Sequence, residues 1–151
     1  MAGDEAGRMA QYNIKVSWDA APTIENYRWI LDDGTEIIGA PTGNEGPQRF
    51  LDPEEAFTGS LASCHMLSFL AAAAKAGFQV VRYEDDAYAS LDKNPQGRIA
   101  VTRVVLRPCV TFGGNTRPTV DELKQLHEKA NRDCFIANSV KTEIVVEPHV
   151  P

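Results

Sequence analysis

The stretch Asp52-Pro53-Glu54-Glu55-Ala56-Phe57-Thr58-Gly59-Ser60-Leu61-Ala62-Ser63-Cys64-His65-Met66-Leu67-Ser68-Phe69-Leu70, carried on through four alanines to Lys75-Ala76-Gly77-Phe78, sets the reading of the whole chain. Asp52 can cap a helix, Pro53 suits the first helical position, and Glu54 and Glu55 sit at the positive end of the helix dipole. At the other end Lys75 suits the negative end, Gly77 can take the left-handed conformation, and Phe78 can pack back on the last turn. These signals predict one helix over residues 52–76, about 25 residues long and, at ~1.5 Å per residue, nearly 40 Å from end to end. Almost every position from Ala56 to Ala74 is apolar or small, which predicts a helix buried on most sides. So much apolar surface on one helix demands cover on several faces, and a neighbouring subunit is one source of it.

Working outward, residues 12–18 alternate apolar and polar as a strand does. Residues 27–31 and 35–38 read as a hairpin joined at Asp32-Asp33-Gly34. Residues 40–48, with two prolines and two glycines, read as a surface loop leading into the helix. Beyond the helix, residues 80–91 and 98–112 are two long strand-like segments joined by the connection Asp92-Lys93-Asn94-Pro95-Gln96-Gly97, with a bulge expected near Thr102-Arg103. Thr119 with Glu122 forms a capping box ahead of the periodic Leu123, Leu126 and Ala130, which predicts a second helix. Residues 144–146 close the chain as a strand. Strands, long helix, hairpin, helix and strand follow one another without βαβ alternation, so the expected class is α+β.

At 151 residues, 43% apolar and 24% charged, the chain suits one soluble domain over residues 12–151, after a disordered leader at residues 1–11. The run from Ala56 to Ala74 carries Thr58, Ser60, Ser63, His65 and Ser68 and falls short of the ~20 mostly apolar residues of a membrane span. No membrane partner is expected. The first ten residues lack the apolar segment of a secretory signal, which points to a cytoplasmic address and reduced thiols. A net charge of −6 argues against a nucleic-acid partner, which would require basic excess. Small molecules or proteins remain.

The three cysteines divide unequally. Cys109, at a strand end, reads as structural. Cys64, within the long helix beside Leu61 and Leu67, reads either as a buried thiol or as a nucleophile. Cys134 follows Asn131-Arg132-Asp133, charged surroundings unusual for a core thiol. A metal site built from Cys64, His65, His127 and Cys134 is disfavoured, because no CxxC or HxxxH pair exists and successive helix residues point ~100° apart. A Cys-His hydrolase would need a base, but His65 faces away from Cys64 and His127 reads as a solvated helix residue. A redox role needs positive charge near the thiolate and a second thiol. The helix dipole acts mainly in the terminal turns, so an arginine must supply the charge, with Arg28 and Arg49 the nearest upstream.

The segment Asp52-Pro53-Glu54-Glu55 through Ala62-Ser63-Cys64 resembles the signature of the osmotically inducible and organic-hydroperoxide-resistance proteins, the OsmC/Ohr family. Ala76-Gly77-Phe78 and Ser90-Leu91-Asp92-Lys93 agree with it, and Cys134-Phe135-Ile136-Ala137-Asn138-Ser139-Val140 resembles its second cysteine segment. The resemblance covers residues 12–147. It implies an α+β fold with antiparallel sheets around two central helices, in an intertwined homodimer with active sites at the interface. It also implies a thiol-dependent peroxidase that reduces organic hydroperoxides or hydrogen peroxide without metal, flavin or other cofactor, regenerated by an external dithiol. In that reading Cys64 is the peroxidatic nucleophile, Cys134 the resolving thiol, and Glu54 orients an active-site arginine. Arg49, in Gln48-Arg49-Phe50, looks like the arginine of the osmotically inducible branch, and Arg28 fits the organic-hydroperoxide branch. Ten residues of straight helix place Glu54 about 15 Å from Cys64, so the arginine must bridge them or the helix must bend near Gly59. Phe57, Leu61 and Leu67 are the candidates to line a pocket for an alkyl tail, with core packing as the competing role. The alternative function is a non-catalytic member that binds a hydrophobic ligand or partner at the dimer interface.

Overall fold

A computed structural model describes residues 10–20, 26–41, 43 and 49–151. Most of the expected leader and most of the loop over residues 40–48 lie outside them. The chain divides into two compact units, Met1–Pro53 and Glu54–Pro151.

The first unit is a three-stranded antiparallel sheet of β1 (Lys15–Ser17), β2 (Tyr27–Ile30) and β3 (Glu36–Gly39), in the order β1-β2-β3. The expected hairpin is β2–β3, and Gly34 takes φ +86° at its tip. The Thr35 amide donates to Asp33 Oδ1 at 2.9 Å, and that bond holds the Asp33 carboxyl below its ordinary pKa. Gly39 faces Tyr27 across the ladder, and the tyrosine ring fills the space that a Cβ at position 39 would take. The alternation at Tyr12, Ile14, Val16 and Trp18 yields one apolar face, and all four side chains stay exposed.

The second unit is built on the long helix α1 (Pro53–Lys75). Its end follows the expectation: Gly77 sits at φ +85°, and the Phe78 amide donates to the Ala73 carbonyl at 2.9 Å. Those are the marks of a left-handed C-cap with the apolar residue packed back. Burial differs from the expectation. Only Leu61, His65, Phe69, Ala72 and Ala73 are buried, a single stripe at helical spacing, while Leu67 remains 63% exposed. By length and composition α1 also passes the test for a helix able to cross a membrane, although its serines argued otherwise, and only 28% of its most apolar window is buried in this chain. Within the second unit, the packing partners of α1 cover one side of it.

The two long strand-like segments each break once. They form β4 (Gln79–Asp85) and β5 (Tyr88–Lys93), then β6 (Ile99–Leu106) and β7 (Pro108–Gly113), with β4 paired to β7 and β5 to β6. The break has a chemical cause: the Arg107 amide donates to Asp85 Oδ1 at 2.7 Å and Arg107 Nε donates to the Asp86 carbonyl at 2.9 Å, so side chains replace ladder bonds there. The bulge falls where expected, since Ser90 pairs with Arg103 and Leu91 with Val101, which leaves Thr102 as the extra residue. Helix α2 (Val120–Asp133) starts with both bonds of the Thr119–Glu122 capping box. The last strand, β8 (Glu143–Val146), pairs with β6 in parallel, so this sheet is mixed rather than antiparallel throughout.

Two apolar clusters hold α1 down. Leu61 packs with Val104 and Leu106 of β6, joined by Phe57, Ile144 and Val146. Farther along, Phe69, Ala72 and Ala73 pack with Val110 of β7 and with Leu126 and Ala130 of α2. The second cluster decides the site, because it fixes α2 alongside α1.

Candidate functional site: two thiols where two helices meet

One turn before that cluster, the side of α1 turned from β6 and β7 carries Ser60, Ser63, Cys64, Leu67 and Ser68. With Asp133, Phe135 and Ile136 from the end of α2 they enclose a cavity of about 410 Å³. Positions 60, 64, 67 and 68 form a stripe beside the buried one at 61, 65, 69 and 72, as 3.6 residues per turn requires. Ser60 Oγ donates to the Phe57 carbonyl and Ser63 Oγ to the Gly59 carbonyl, each at 2.7 Å. Their protons being spent within the helix, these hydroxyls present acceptor lone pairs. Beside them Leu67 and Phe135 stand exposed, so the opening is apolar with acceptors set into one wall.

Cys64 and Cys134 come together. Cys134 is the C-cap of α2, with φ −70° and ψ 114°, and is 1% exposed, whereas Cys64 is half-buried on the cavity. Burial pushes the Cys134 pKa up, the neighbouring Cys64 side chain adds to that, and the Ala137 amide opposes it by donating to Sγ at 3.3 Å. Cys134 therefore keeps its proton more firmly than a free thiol. The turn beyond it is well tied: the Asn138 amide donates to the Cys134 carbonyl at 3.1 Å, Ser139 Oγ to the Phe135 carbonyl at 2.7 Å, and Asn138 Nδ2 to the Arg132 carbonyl at 3.0 Å.

The other expected site residues fall as follows. Leu67 lines the cavity. Phe57 and Leu61 do not, because their positions turn them onto β6, where Leu61 is 1% exposed; both are core residues. Glu54 lies in the first turn of α1, its carbonyl accepting from Thr58 Oγ1 at 2.8 Å. The helix runs unbroken through Gly59, so no interruption there brings Glu54 back toward Cys64. Arg28, on β2, bonds Asp19 at 2.9 Å and lies 3.9 Å from Glu36. Arg49 is exposed just ahead of Phe50. Cys109 sits on β7 opposite Glu84, outside the cavity.

Sequence reasoning missed two groups of residues. Ser60, Ser63 and Ser68 share the Cys64 face, and the 3.6 period could have found them. The second group corrects the reading of His127 as a solvated residue: it is 4% exposed, and its Nδ1 lies 3.0 Å from His65 Nε2. The two rings are stacked within 3° of parallel, and His127 also stacks on Phe69. Burial lowers both pKa values to about 4, and for His127 the charge of His65 adds to the effect. Both rings are thus neutral at pH 7. The signal was present in Leu123, Leu126, His127, Ala130 and Cys134, which share one helical face.

Fold and site together define an α+β protein with a dithiol at the junction of two helices, one thiol open and one enclosed. The model of the OsmC-like protein family matches residues 46–149, and the chain belongs to that family. An OsmC-like protein of unknown function from Vibrio cholerae is 38% identical, with a TM-score of 0.86 over 93% of this chain and 100% of that one. An organic hydroperoxide resistance protein from Elizabethkingia anophelis has a TM-score of 0.68 at 20% identity, over 95% of this chain and 98% of its own. The organic hydroperoxide resistance protein OhrB of Bacillus subtilis has a TM-score of 0.67 at 17% identity, over 94% and 100%. The last two show likeness of fold. No curated protein matches the chain.

Proposed function

We propose that the chain is a thiol-dependent peroxidase that reduces organic hydroperoxides through Cys64 and Cys134. The observation that carries this reading is that a thiol open to an apolar cavity neighbours a second, buried thiol whose pKa is raised. The Cys64 thiolate attacks the distal peroxide oxygen; the O–O bond breaks, the leaving alkoxide takes a proton and departs as alcohol, and Cys64 becomes a sulfenic acid. Cys134 then attacks that sulfur, water leaves with the Cys134 proton, and a disulfide forms. An external dithiol gives two electrons and two protons to restore both thiols. No cofactor takes part.

The serine lone pairs suit the hydroperoxide O–H, while Leu67, Phe135 and Ile136 suit an alkyl group. The thiolate also needs positive charge, which we assign to an arginine, Arg49 or Arg28, with Glu54 as its orienting partner. The uncovered faces of α1 and of residues 12–18 fit a homodimer, and the chemistry fits a reducing cytoplasm.

The test is a thiol count on reduced protein mixed with stoichiometric cumene hydroperoxide. Wild type is expected to lose two thiols to an intramolecular disulfide, Cys64→Ser to consume no peroxide, and Cys134→Ser to accumulate sulfenic acid. Peroxide consumption that persists in Cys64→Ser would sink the assignment. The serving arginine is the one whose alanine variant slows the first step at least a hundredfold.

A further inference from the structure

His65 and His127 are the buried titratable groups that this chemistry leaves unused. The outer nitrogens of the pair, His65 Nδ1 and His127 Nε2, are buried without a hydrogen-bond partner. Each such orphan costs stability, and leucine or phenylalanine would fill either position without that cost. What the pair supplies is direction: one N–H···N bond between α1 and α2, backed by the Phe69 stack.

Its place along both helices is informative. His65 follows Cys64 directly on α1. His127 precedes Cys134 by seven residues, nearly two full turns, so the two emerge on almost the same side of α2 and ~10.5 Å apart along it. A ring that fixes where His127 faces α1 therefore also fixes where Cys134 faces it. Beyond Cys134 the tied turn leaves little freedom, so α2 itself carries the thiol to its place.

We propose that His65 and His127 are positioning residues for the dithiol: their bond holds α2 in the register that keeps Cys134 against Cys64, and so sets how readily the two close into a disulfide. The inference rests on the reading of Cys64 and Cys134 as a redox pair, not on hydroperoxide as the oxidant. In closure by oxidised dithiothreitol, two thiols give up two electrons and two protons, one S–S bond forms in the protein, and the reagent's S–S bond is reduced to two thiols.

The experiment equilibrates wild type, His127→Leu and His127→Gln at pH 7 in buffers of oxidised and reduced dithiothreitol, and quantifies the Cys64–Cys134 disulfide by alkylation and mass spectrometry. His127→Leu keeps the bulk and loses the bond; its closure constant is expected to fall tenfold or more, a potential about 30 mV less negative. His127→Gln can still bond His65 and is expected to stay within about threefold of wild type, a rescue that packing alone would not give. Circular dichroism establishes that each variant is folded, and His65→Asn, too short to span the contact, replaces His127→Leu if the latter is not. A folded bond-breaking variant that closes as readily as wild type overturns the proposal, as does a wild type that forms no Cys64–Cys134 disulfide. A wild type that closes in these buffers yet ignores hydroperoxide overturns the peroxidase reading and leaves this inference standing.

Discussion

Cys64 and His65 are neighbours on α1, and each meets the α2 segment, yet their settings are opposite. Cys64 opens on a cavity walled by serines, Leu67 and Phe135, while His65 is 1% exposed and stacked on His127, which in turn stacks on Phe69. One residue's step of ~100° separates a crossing that opens on a cavity from one that is closed. Within the second unit, β6, β7 and α2 pack on the buried stripe of α1, and Cys64 lies on the stripe beside it. That division can be broken at either face.

The largest effect is expected on the covered face. Phe69 touches Tyr83, Phe112 and His127 and is fully buried, so Phe69→Ala should cost about 3–5 kcal/mol in urea denaturation. A cost below about 1 kcal/mol would place the core elsewhere.

Acid is expected to act next. Both imidazoles ordinarily titrate near 6.5 and are lowered to about 4 by burial. Below pH 6.5 the unfolded chain therefore binds protons that the fold refuses. This contribution is intact above pH 6.5 and is lost as pH falls toward 4, about 3 kcal/mol for the first ring to protonate. Urea titrations at pH 7 and 4.5 measure it, and equal contributions at both would mean the rings are solvated.

A change confined to α2 sharpens the comparison. Thr119→Ala removes a cap that touches neither crossing, and should cost about 1 kcal/mol in thermal unfolding while the acid slope stays as it was. The smallest stability effect is expected at Leu67 on the open face, where Leu67→Ala should stay within about 0.5 kcal/mol. Its consequence should appear instead as poorer use of cumene hydroperoxide relative to hydrogen peroxide. Equal loss with both substrates would remove Leu67 from the alkyl contact.

Local chemistry made much of this fold legible. Pro53, Gly77 and the Thr119–Glu122 pair mark helix ends, because the backbone groups there must be satisfied within a few residues. The hairpins at Gly34 and Gly97 and the bulge at Thr102 are equally local. What was misread depended on distant partners. The long strands break where Asp85 and Asp86 meet Arg107, a contact 21 and 22 residues away in sequence. The parallel pairing of β8 with β6 joins Arg103 to Glu143, which no alternation pattern encodes.

The site divides in the same manner. Cys64 and Cys134 were singled out because their flanking residues carry the family's pattern, and Leu67 only as one apolar neighbour among three. Phe57 and Leu61 were misplaced because an apolar residue on α1 suits a core and a pocket equally, and only the position of β6 separates the two. His127 was misread because a histidine in an amphipathic helix suits water unless a second imidazole awaits it. By itself the sequence determined the two helices, their ends and the turns, and it singled out the two cysteines that sit in the family's pattern, since these depend on groups within a turn or two of one another. Only the tertiary structure decided which stripe of α1 is buried, that His65 meets His127, and that Cys134 neighbours Cys64, because each of those follows from which distant surfaces pack.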